Sequence, residues 1–164
     1  MSAEDTVGAS SVGSGEALLA NELRMVTARD DTTVVLLAGP VGCGKTTILV
    51  ALYELFNRGP VGGLLFGGSD TLAGFERICH AGRTASGVTL ADTLRTNPSS
   101  GAPFLHLRVA DMEHEVPRIS SLLLSDVTGE AFEEASDVSE PTKLPRAYWR
   151  RADVICLILD GDKL

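Results

Sequence analysis

A stretch of glycines that ends in a lysine and two threonines carries the clearest chemical signal in this chain. Residues 37–47 read LAGPVGCGKTT and match the pattern GxxxxGK[ST], with Gly39 and Gly44 at its two glycine positions. Glycines let the backbone wrap around an anion with successive N–H groups pointing inward, and a following helix adds the positive end of its dipole. The pattern therefore predicts a polyphosphate site in which Lys45 contacts the terminal phosphates and the Thr46 hydroxyl binds Mg²⁺.

The segments on either side of this loop have the patterns that such a site requires. The apolar, β-branched residues 34–38 predict a strand buried on both faces, and residues 30–33 before them predict a turn. Apolar residues at helical spacing follow the loop and predict a helix that ends near Asn57, ahead of Gly59 and Pro60. Strand, glycine-rich loop and helix in this order distinguish a phosphate-binding loop from a chance glycine turn. The residues expected to contact nucleotide are Gly39, Val41, Gly42, Cys43, Gly44, Lys45, Thr46 and Thr47.

Length, charge and cysteine content limit the class of protein. A chain of 164 residues is about one domain in size, and a hydrophobic fraction of 44% is enough for a core. The net charge of -8 argues against nucleic acid or an anionic membrane as the main partner. No apolar run approaches the roughly 18 residues of a membrane-spanning helix, and the acidic start is no secretory signal. Three cysteines without a CxxC pair predict a reduced, cytoplasmic protein without disulfides or zinc.

The rest of the first half divides into a flexible segment and the start of an α/β domain. Residues 1–30 are predicted to be flexible, because they begin with many Ser, Gly and Ala residues, with a short helix over 16–28. Residues 31–164 are predicted to form the domain itself. Within it, apolar spacing predicts a helix over 70–80, and the Gly-, Thr- and Ser-rich residues 81–103 predict a loop. A connection of that length is typical of a functional segment.

Three further strands are predicted after this loop. Apolar runs at 104–110 and 119–125 are joined by a link too short for a crossover helix, so we expect them to pair antiparallel. The second run continues into SDVTGE, where Asp126 stands three residues before Gly129. In proteins with a phosphate-binding loop, an aspartate at the end of a neighbouring strand holds Mg²⁺, and a glycine after it approaches the γ-phosphate. Residues 153–159 predict an apolar strand that would form an exposed sheet edge if nothing covered it.

The order of these motifs resembles one class of nucleotide-binding proteins. A phosphate-binding loop, a long switch-like segment, an antiparallel hairpin, DxxG and an apolar strand resemble the first half of a TRAFAC GTPase domain, the Ras-like and translation-factor class. More narrowly, FGGSDTLAGFERICH, LHLRV, DVTGE and LILDGDKL resemble the bacterial double-GTPase group of conflict and defence operons. The resemblance covers residues 34–164. It implies a P-loop NTPase fold of three α/β/α layers, with a mostly parallel sheet, one antiparallel hairpin and an incomplete C-terminal side.

The resemblance also implies roles for individual residues. Lys45, Thr46 and Asp126 would hold phosphates and Mg²⁺, and Gly129 would sense the γ-phosphate. The family needs a switch-one threonine whose hydroxyl meets Mg²⁺ only in the triphosphate state, and Thr96 is the residue assigned to this role. Catalytic roles would then fall on Lys45, Thr96 and Glu130, and the metal ligands would be Thr46, Asp126 and Thr96. The other threonines that compete for the switch-one role are Thr71, Thr84, Thr89 and Thr93.

Three departures from the Ras-like pattern bear on activity. Glu130 replaces the glutamine that orients the attacking water, and either acts as a base toward that water or is a surface charge. Val41 is bulkier than the small residue often found at its position, and its bulk would hinder an arginine finger. The base-reading motif [NT]KxD is missing, because the similar DGDKL at 160–164 follows the last strand too closely. Three arginines either supply a finger or pair with acidic neighbours, namely Arg146, Arg150 and Arg151.

The favoured interpretation is Mg²⁺-dependent binding and hydrolysis of GTP to GDP as a molecular switch, in a bacterial defence or conflict system. Such an enzyme would be a nucleoside-triphosphate hydrolase acting on an acid anhydride. Two alternatives stay open: an ATPase with the same loop, and a catalytically weak nucleotide-binding interaction module that a partner completes. The expected partners are the nucleotide and either another protein or a second copy of the chain, with no nucleic acid and no membrane.

Overall fold

The computed structural model describes residues 15–19, 21–85, 104–114, 116–126, 150–159 and 161. None of the helices in these ranges is both long and apolar enough to cross a membrane. The elements in chain order are α1 (Leu23–Thr27), β1 (Asp31–Ala38), α2 (Lys45–Arg58), β2 (Leu64–Gly68), α3 (Leu72–Ala85), β3 (Phe104–Asp111), β4 (Arg118–Asp126) and β5 (Val154–Leu157).

One five-stranded sheet, in the order β2-β3-β4-β1-β5, organises the described part of the chain. Strand β1 pairs in parallel with β4 on one side and with β5 on the other. Strand β3 pairs antiparallel with both β4 and β2, so it runs against the other four. The predicted α/β class, with a mostly parallel sheet and an antiparallel hairpin, is confirmed at this level.

Alternation along the strands gives the sheet two different faces. Leu37 and Leu124 lie in a large core cluster with residues of α2 and α3, while their neighbours Leu36 and Leu123 lie in a smaller cluster with Val26 of α1. Successive side chains of a strand point to opposite faces, so the two clusters lie on opposite sides of the sheet. Strand β1 is therefore buried from both sides towards its carboxyl end, as its unbroken apolar run predicts.

Helices α2 and α3 pack against each other over the first of these faces. The ring of Tyr53 on α2 stacks on Phe75 of α3, with centroids 4.8 Å apart and planes inclined by 9°. The Tyr53 hydroxyl donates a hydrogen bond of 2.8 Å to Oε1 of Glu76. Helix α2 ends at Arg58, and the N–H of Gly59 caps it by donating to the Leu55 carbonyl at 3.2 Å. The predicted end near Asn57 is thus confirmed to within one residue.

Two predictions about the residues before the glycine loop are wrong. The predicted turn at 30–33 is largely strand, because β1 begins at Asp31 and its first residues pair with β4 from Ser120 onward. The predicted helix over 16–28 shrinks to Leu23–Thr27. Leu18 instead exchanges two main-chain hydrogen bonds of 2.8 Å with Phe104 at the start of β3. Pairing with a strand that is distant in sequence overrides the helical spacing here. The predicted division of the chain at residue 30 stays a prediction.

Two further differences lie between α2 and β3. Helix α3 continues to Ala85, five residues beyond the predicted end and into the predicted loop. The glycine-rich residues 64–68, for which no strand was predicted, form the edge strand β2. A Cβ at Gly67 would lie 3.3 Å from the carbonyl oxygen of Arg108, so the small residue permits close pairing with β3. The sheet therefore has a second antiparallel pair beside the predicted hairpin.

The stack of Tyr53 on Phe75 leads to a prediction about stability. Phe75 has no exposed surface, whereas Leu72 on the same helix is 45% exposed. We expect Phe75→Ala to lower the free energy of unfolding by about 3–5 kcal/mol, because it leaves a cavity between α2 and α3. Leu72→Ala should cost less than about 1 kcal/mol. Urea denaturation followed by circular dichroism measures both, and equal losses would contradict the packing described here.

Candidate phosphate-binding site

The glycine loop, defined as residues Gly39 to Gly44, joins β1 to α2 at the carboxyl edge of the parallel strands. The register places Leu37 of β1 beside Asp126 of β4, and Ala38 beside Leu157 of β5. The carboxyl ends of three parallel strands therefore meet at the loop. In open α/β sheets this edge is where ligands bind.

Three glycines shape the loop, each for a physical reason. Gly42 and Gly44 have φ angles of +77° and +95°, in the left-handed region that side chains disfavour. Gly44 caps the amino end of α2 in this conformation and turns the chain directly into the helix. A Cβ at Gly39 would come within 2.4 Å of the Ile158 carbonyl oxygen and 2.8 Å of Cys43 Sγ. Gly39 is thus fixed by close approach to the backbone that follows β5.

Lys45 places a positive charge against the start of the loop. Its side chain is buried, and Nζ donates hydrogen bonds of 2.9 Å to the carbonyl of Gly39 and 3.0 Å to that of Pro40. Nζ also lies 3.9 Å from Cys43 Sγ. The first turn of α2 holds no acidic residue, so the ammonium and the positive end of the helix dipole act together. An anion at this helix terminus would be attracted by both.

The other predicted loop residues differ in exposure. Thr46 is partly buried in the first turn of α2, whereas Thr47 is exposed and Val41 is 49% exposed. Cys43 is partly exposed, and none of Cys43, Cys79 and Cys156 is in a disulfide. The structure brings the eight predicted residues of the loop and the first helical turn together in one short segment.

The remaining predicted site residues are distributed between the described and the undescribed parts. Asp126 is the last residue of β4 and reaches the carboxyl edge beside β1. Thr96, Gly129 and Glu130 lie outside the described residues. Their predicted roles as switch residue, γ-phosphate sensor and base toward water stay predictions.

One rival for the switch-one role has a different place in the structure. Thr71 is fully buried before α3, where its Oγ1 accepts a 2.8 Å hydrogen bond from the His106 main-chain N–H. A threonine held in this way is part of the packing between α3 and β3. Among the other candidates, Thr84 lies in the last turn of α3, and Arg150 and Arg151 are exposed just before β5. Those outside the described residues are Thr89, Thr93 and Arg146.

The donor set at this edge fits a hard divalent cation. A threonine hydroxyl on the first helical turn and a carboxylate at the end of the adjacent strand are oxygen ligands, which Mg²⁺ prefers, and Mg²⁺ commonly takes only one or two ligands from protein. Within the described ranges, no three His, Cys, Asp or Glu side chains gather into a protein-only metal site. By residue type Thr46 and Asp126 fit such an ion, and their role as its ligands stays a prediction.

Two contacts of the loop were not predicted from sequence. The Pro40 carbonyl accepts from Lys45, and the Ile158 carbonyl closes the space beside Gly39. Every residue has a main-chain carbonyl, so residue types do not show which carbonyls make contacts. Only the glycine at position 39 indicated a close neighbour. The pattern of the motif required this glycine without showing what it touches.

The sequence was also compared with protein families and with known proteins. Residues 33–164 match the sequence model of the family described as Double-GTPase 2. No curated protein and no solved structure matches the chain.

The two kinds of glycine in the loop lead to a prediction about stability. We expect Gly39→Ala to lower the free energy of unfolding by about 2–5 kcal/mol, because its Cβ would overlap the Ile158 carbonyl in a strained conformation. A Cβ at Gly42 meets nothing within 4 Å, so Gly42→Ala should cost only the backbone strain, about 1–2 kcal/mol. Urea unfolding of the two variants tests this order. A Gly42→Ala loss as large as that of Gly39→Ala would contradict the close approach.

Proposed function

This chain belongs to the Double-GTPase 2 family, and we propose that it binds GTP at the glycine loop and hydrolyses it as a molecular switch. The observation that carries the proposal is the buried Lys45, whose Nζ donates to the Gly39 and Pro40 carbonyls at the amino end of α2. We take this loop to be a Walker A P-loop, in a three-layer α/β/α nucleotide-binding domain. The glycine positions, the helix start and the neighbouring parallel strands support that assignment.

The phosphates would be bound by groups that converge at the start of α2. Lys45 would exchange a main-chain carbonyl for a phosphate oxygen, which is a stronger acceptor because it is charged. The N–H groups at the amino end of α2 would donate to the same phosphates, and the left-handed Gly42 and Gly44 would let the backbone follow them closely. Together these donors would neutralise charge as the γ-phosphate leaves.

The metal ligands we propose are Thr46 and Asp126, with Thr96 in the triphosphate state. Mg²⁺ bound there would supply positive charge that neutralises the phosphate oxygens. Thr46 would offer its hydroxyl from the first turn of α2, and Asp126 its carboxylate from the end of β4. The place of Asp126 opposite Leu37 in the parallel ladder supports this pairing.

The residues after β4 would act on the reacting water and on the switch. We propose that a water attacks the γ-phosphorus in line with the departing GDP oxygen. Glu130 would orient that water or accept its proton, and Gly129 would contact the γ-phosphate. Loss of this phosphate would release the segments around Thr96 and Gly129, which is the switching step. GDP is the product that stays bound in the loop.

One observation favours a second candidate, an interaction module that depends on a partner. Strand β5 lies at the edge of the described sheet, and exposed apolar side chains lie on both of its faces, with Val154 44% exposed on one and Ile155 49% exposed on the other. An apolar edge strand is a template for another chain. We propose a cytoplasmic protein of a bacterial defence or conflict system that binds another protein or a second copy here, and neither nucleic acid nor a membrane.

Removal of the loop lysine tests the proposed site. Lys45→Ala should weaken GTP binding by about 10- to 100-fold, because it removes a charge-assisted hydrogen bond to phosphate. Titration with a fluorescent GTP analogue measures the dissociation constant. Arg58→Ala is the matched control, since it removes one positive charge from the exposed far end of the same helix. Triphosphate binding by Lys45→Ala as tight as that of the control would refute the site.

Competition and turnover separate the proposed GTPase from its alternatives. Unlabelled GTP should displace the fluorescent analogue at lower concentration than ATP does, and Mg²⁺-dependent phosphate release should accompany GTP. Phosphate release is measured over a range of protein concentrations, because a second copy is one of the proposed partners. A preference for ATP would contradict the assignment of guanine. Tight GTP binding without phosphate release at any protein concentration would contradict hydrolysis and favour the second candidate, the interaction module.

A further inference from the structure

A polar cluster lies on the face of the sheet opposite α2 and α3, where the glycine loop plays no part. At its centre is His106 of β3, which has no exposed surface. Its Nδ1 accepts a 3.0 Å hydrogen bond from the Asp70 main-chain N–H, just before α3. Its Nε2 lies 2.9 Å from Ser121 Oγ on β4, and this hydroxyl lies 2.9 Å from Asp30 Oδ2. Both ring nitrogens are therefore engaged.

These contacts determine which nitrogen carries the proton. A ring nitrogen that accepts from a main-chain N–H is unprotonated, so neutral His106 holds its hydrogen on Nε2. Nε2–H donates to Ser121 Oγ, and the Ser121 hydroxyl donates in turn to the Asp30 carboxylate. The chain of hydrogen bonds thus runs in one direction, from the Asp70 main chain before α3 through the imidazole to Asp30.

This arrangement of Ser121, His106 and Asp70 is not a nucleophilic triad. Ser121 has no exposed surface, and its proton is directed at Asp30. In a triad the histidine accepts the serine proton on one nitrogen and donates from the other to a carboxylate. Here the direction is reversed, because Nδ1 is the acceptor. What can change in this cluster is the protonation state of the His106 ring.

The charged groups that face the ring are balanced. Asp70 precedes α3, Arg29 and Asp30 lie between α1 and β1, and Arg108 lies on β3. Arg108 Nη2 donates to Asp30 Oδ1 at 2.9 Å, and Arg29 Nη2 donates to Asp70 Oδ2 at 2.7 Å. Burial is the largest influence on the imidazole and lowers the pKa of His106 below its ordinary value, despite the attraction of Asp70. Burial by itself raises the pKa of Asp30. Hydrogen bonds from Ser121, Arg108 and Arg29 together lower this pKa by more than burial raises it, so Asp30 stays ionised.

A second acceptor for the ring lies within reach. Asp70 Oδ2 is 3.4 Å from His106 Nδ1, next to the Asp70 N–H that this nitrogen now accepts from. We propose that His106 is a proton switch for the start of α3: the neutral ring accepts from the Asp70 main-chain N–H, and the protonated ring donates to the Asp70 carboxylate instead. Protonation takes one proton from solvent to form the Nδ1–H bond of the ring and breaks no bond within the protein. It leaves the Asp70 N–H without its acceptor and draws the carboxylate away from Arg29.

A fall in pH drives the switch from the neutral to the protonated ring. Because the folded pKa of His106 is lowered, the neutral state contributes stability that is complete above the ordinary imidazole value of about 6.5 and is lost as pH falls below it. Other anchors of the same segment do not titrate in this range. Ser69 Oγ donates to the His106 carbonyl at 2.6 Å, and Thr71 Oγ1 accepts from its N–H. The start of α3 would therefore loosen at Asp70 without leaving β3.

Nitrogen NMR of the full chain tests the protonation states. With ¹⁵N-labelled histidine, we expect Nδ1 of His106 to be unprotonated and Nε2 to carry hydrogen at neutral pH. The ring should titrate below about 6.5, the value of a free imidazole side chain. An Nδ1–H tautomer at neutral pH, or a midpoint at or above the free value, would overturn the proposal. This measurement needs no variant.

Amide hydrogen exchange tests the movement. The protection factor of the Asp70 N–H should fall by up to about tenfold per pH unit once the ring titrates, and at any acidic pH it should have fallen further than that of the buried Leu123 on β4, which reports the loss of global stability alone. In His106→Asn the side-chain oxygen replaces Nδ1 as acceptor without titrating, so protection at Asp70 should no longer depend on pH. His114→Gln removes an exposed histidine and should keep the wild-type profile. Asp70 protection that stays flat in the wild type, or falls equally in His106→Asn, would contradict the switch.

Discussion

The contact between the Lys45 ammonium and two main-chain carbonyls is the interaction on which the shape of the glycine loop depends. A buried ammonium is costly unless it is hydrogen-bonded, and here the acceptors are Gly39 and Pro40, at 2.9 and 3.0 Å. Gly39 also passes so close to the Ile158 carbonyl that no side chain fits there, which fixes the backbone at the start of the loop. The Lys45 ammonium thus contacts the glycine loop, and the loop in turn contacts the backbone at the edge of the sheet. A phosphate that replaced the carbonyls would meet the same ammonium at the same helix end.

The two faces of the sheet are stabilised by different interactions. Towards α2 and α3 the contacts are apolar, and their stability comes from close packing around Tyr53 and Phe75. On the opposite face a polar cluster is buried beside Leu36 and Leu123, where each charge needs a partner. Asp30 meets this need by accepting from Ser121 and Arg108. The second face is less tolerant of change, since loss of one partner leaves another charge buried and unpaired.

How much could be predicted from sequence depended on the range of the interactions. The glycine loop, the helix after it and the antiparallel pairing of β3 with β4 were predictable, because each follows from local residue types or from a short link. Strand β2 was not predicted, since its glycine-rich sequence becomes a strand only through pairing with β3. The partners of His106 at Asp70 and Ser121 are far away in sequence and leave no pattern. For the same reason the Ile158 carbonyl beside Gly39 could not be foreseen.

The proposed partner surface and the proposed nucleotide site are physically connected. Strand β5 is joined to the sheet by four residue pairs with β1, no other strand of the described residues pairs with it, and all four of its residues are exposed. The Ile158 N–H donates to the Ala38 carbonyl at 2.8 Å, immediately before Gly39, and the Ile158 carbonyl closes the space at Gly39 itself. A chain that paired with β5 would restrict the motion of this edge. Because the same short segment limits where Gly39 lies, such a partner would also hold the loop carbonyls in place against Lys45. Binding energy gained at the sheet edge could thus be used to fix the geometry of the loop, without any contact between partner and nucleotide.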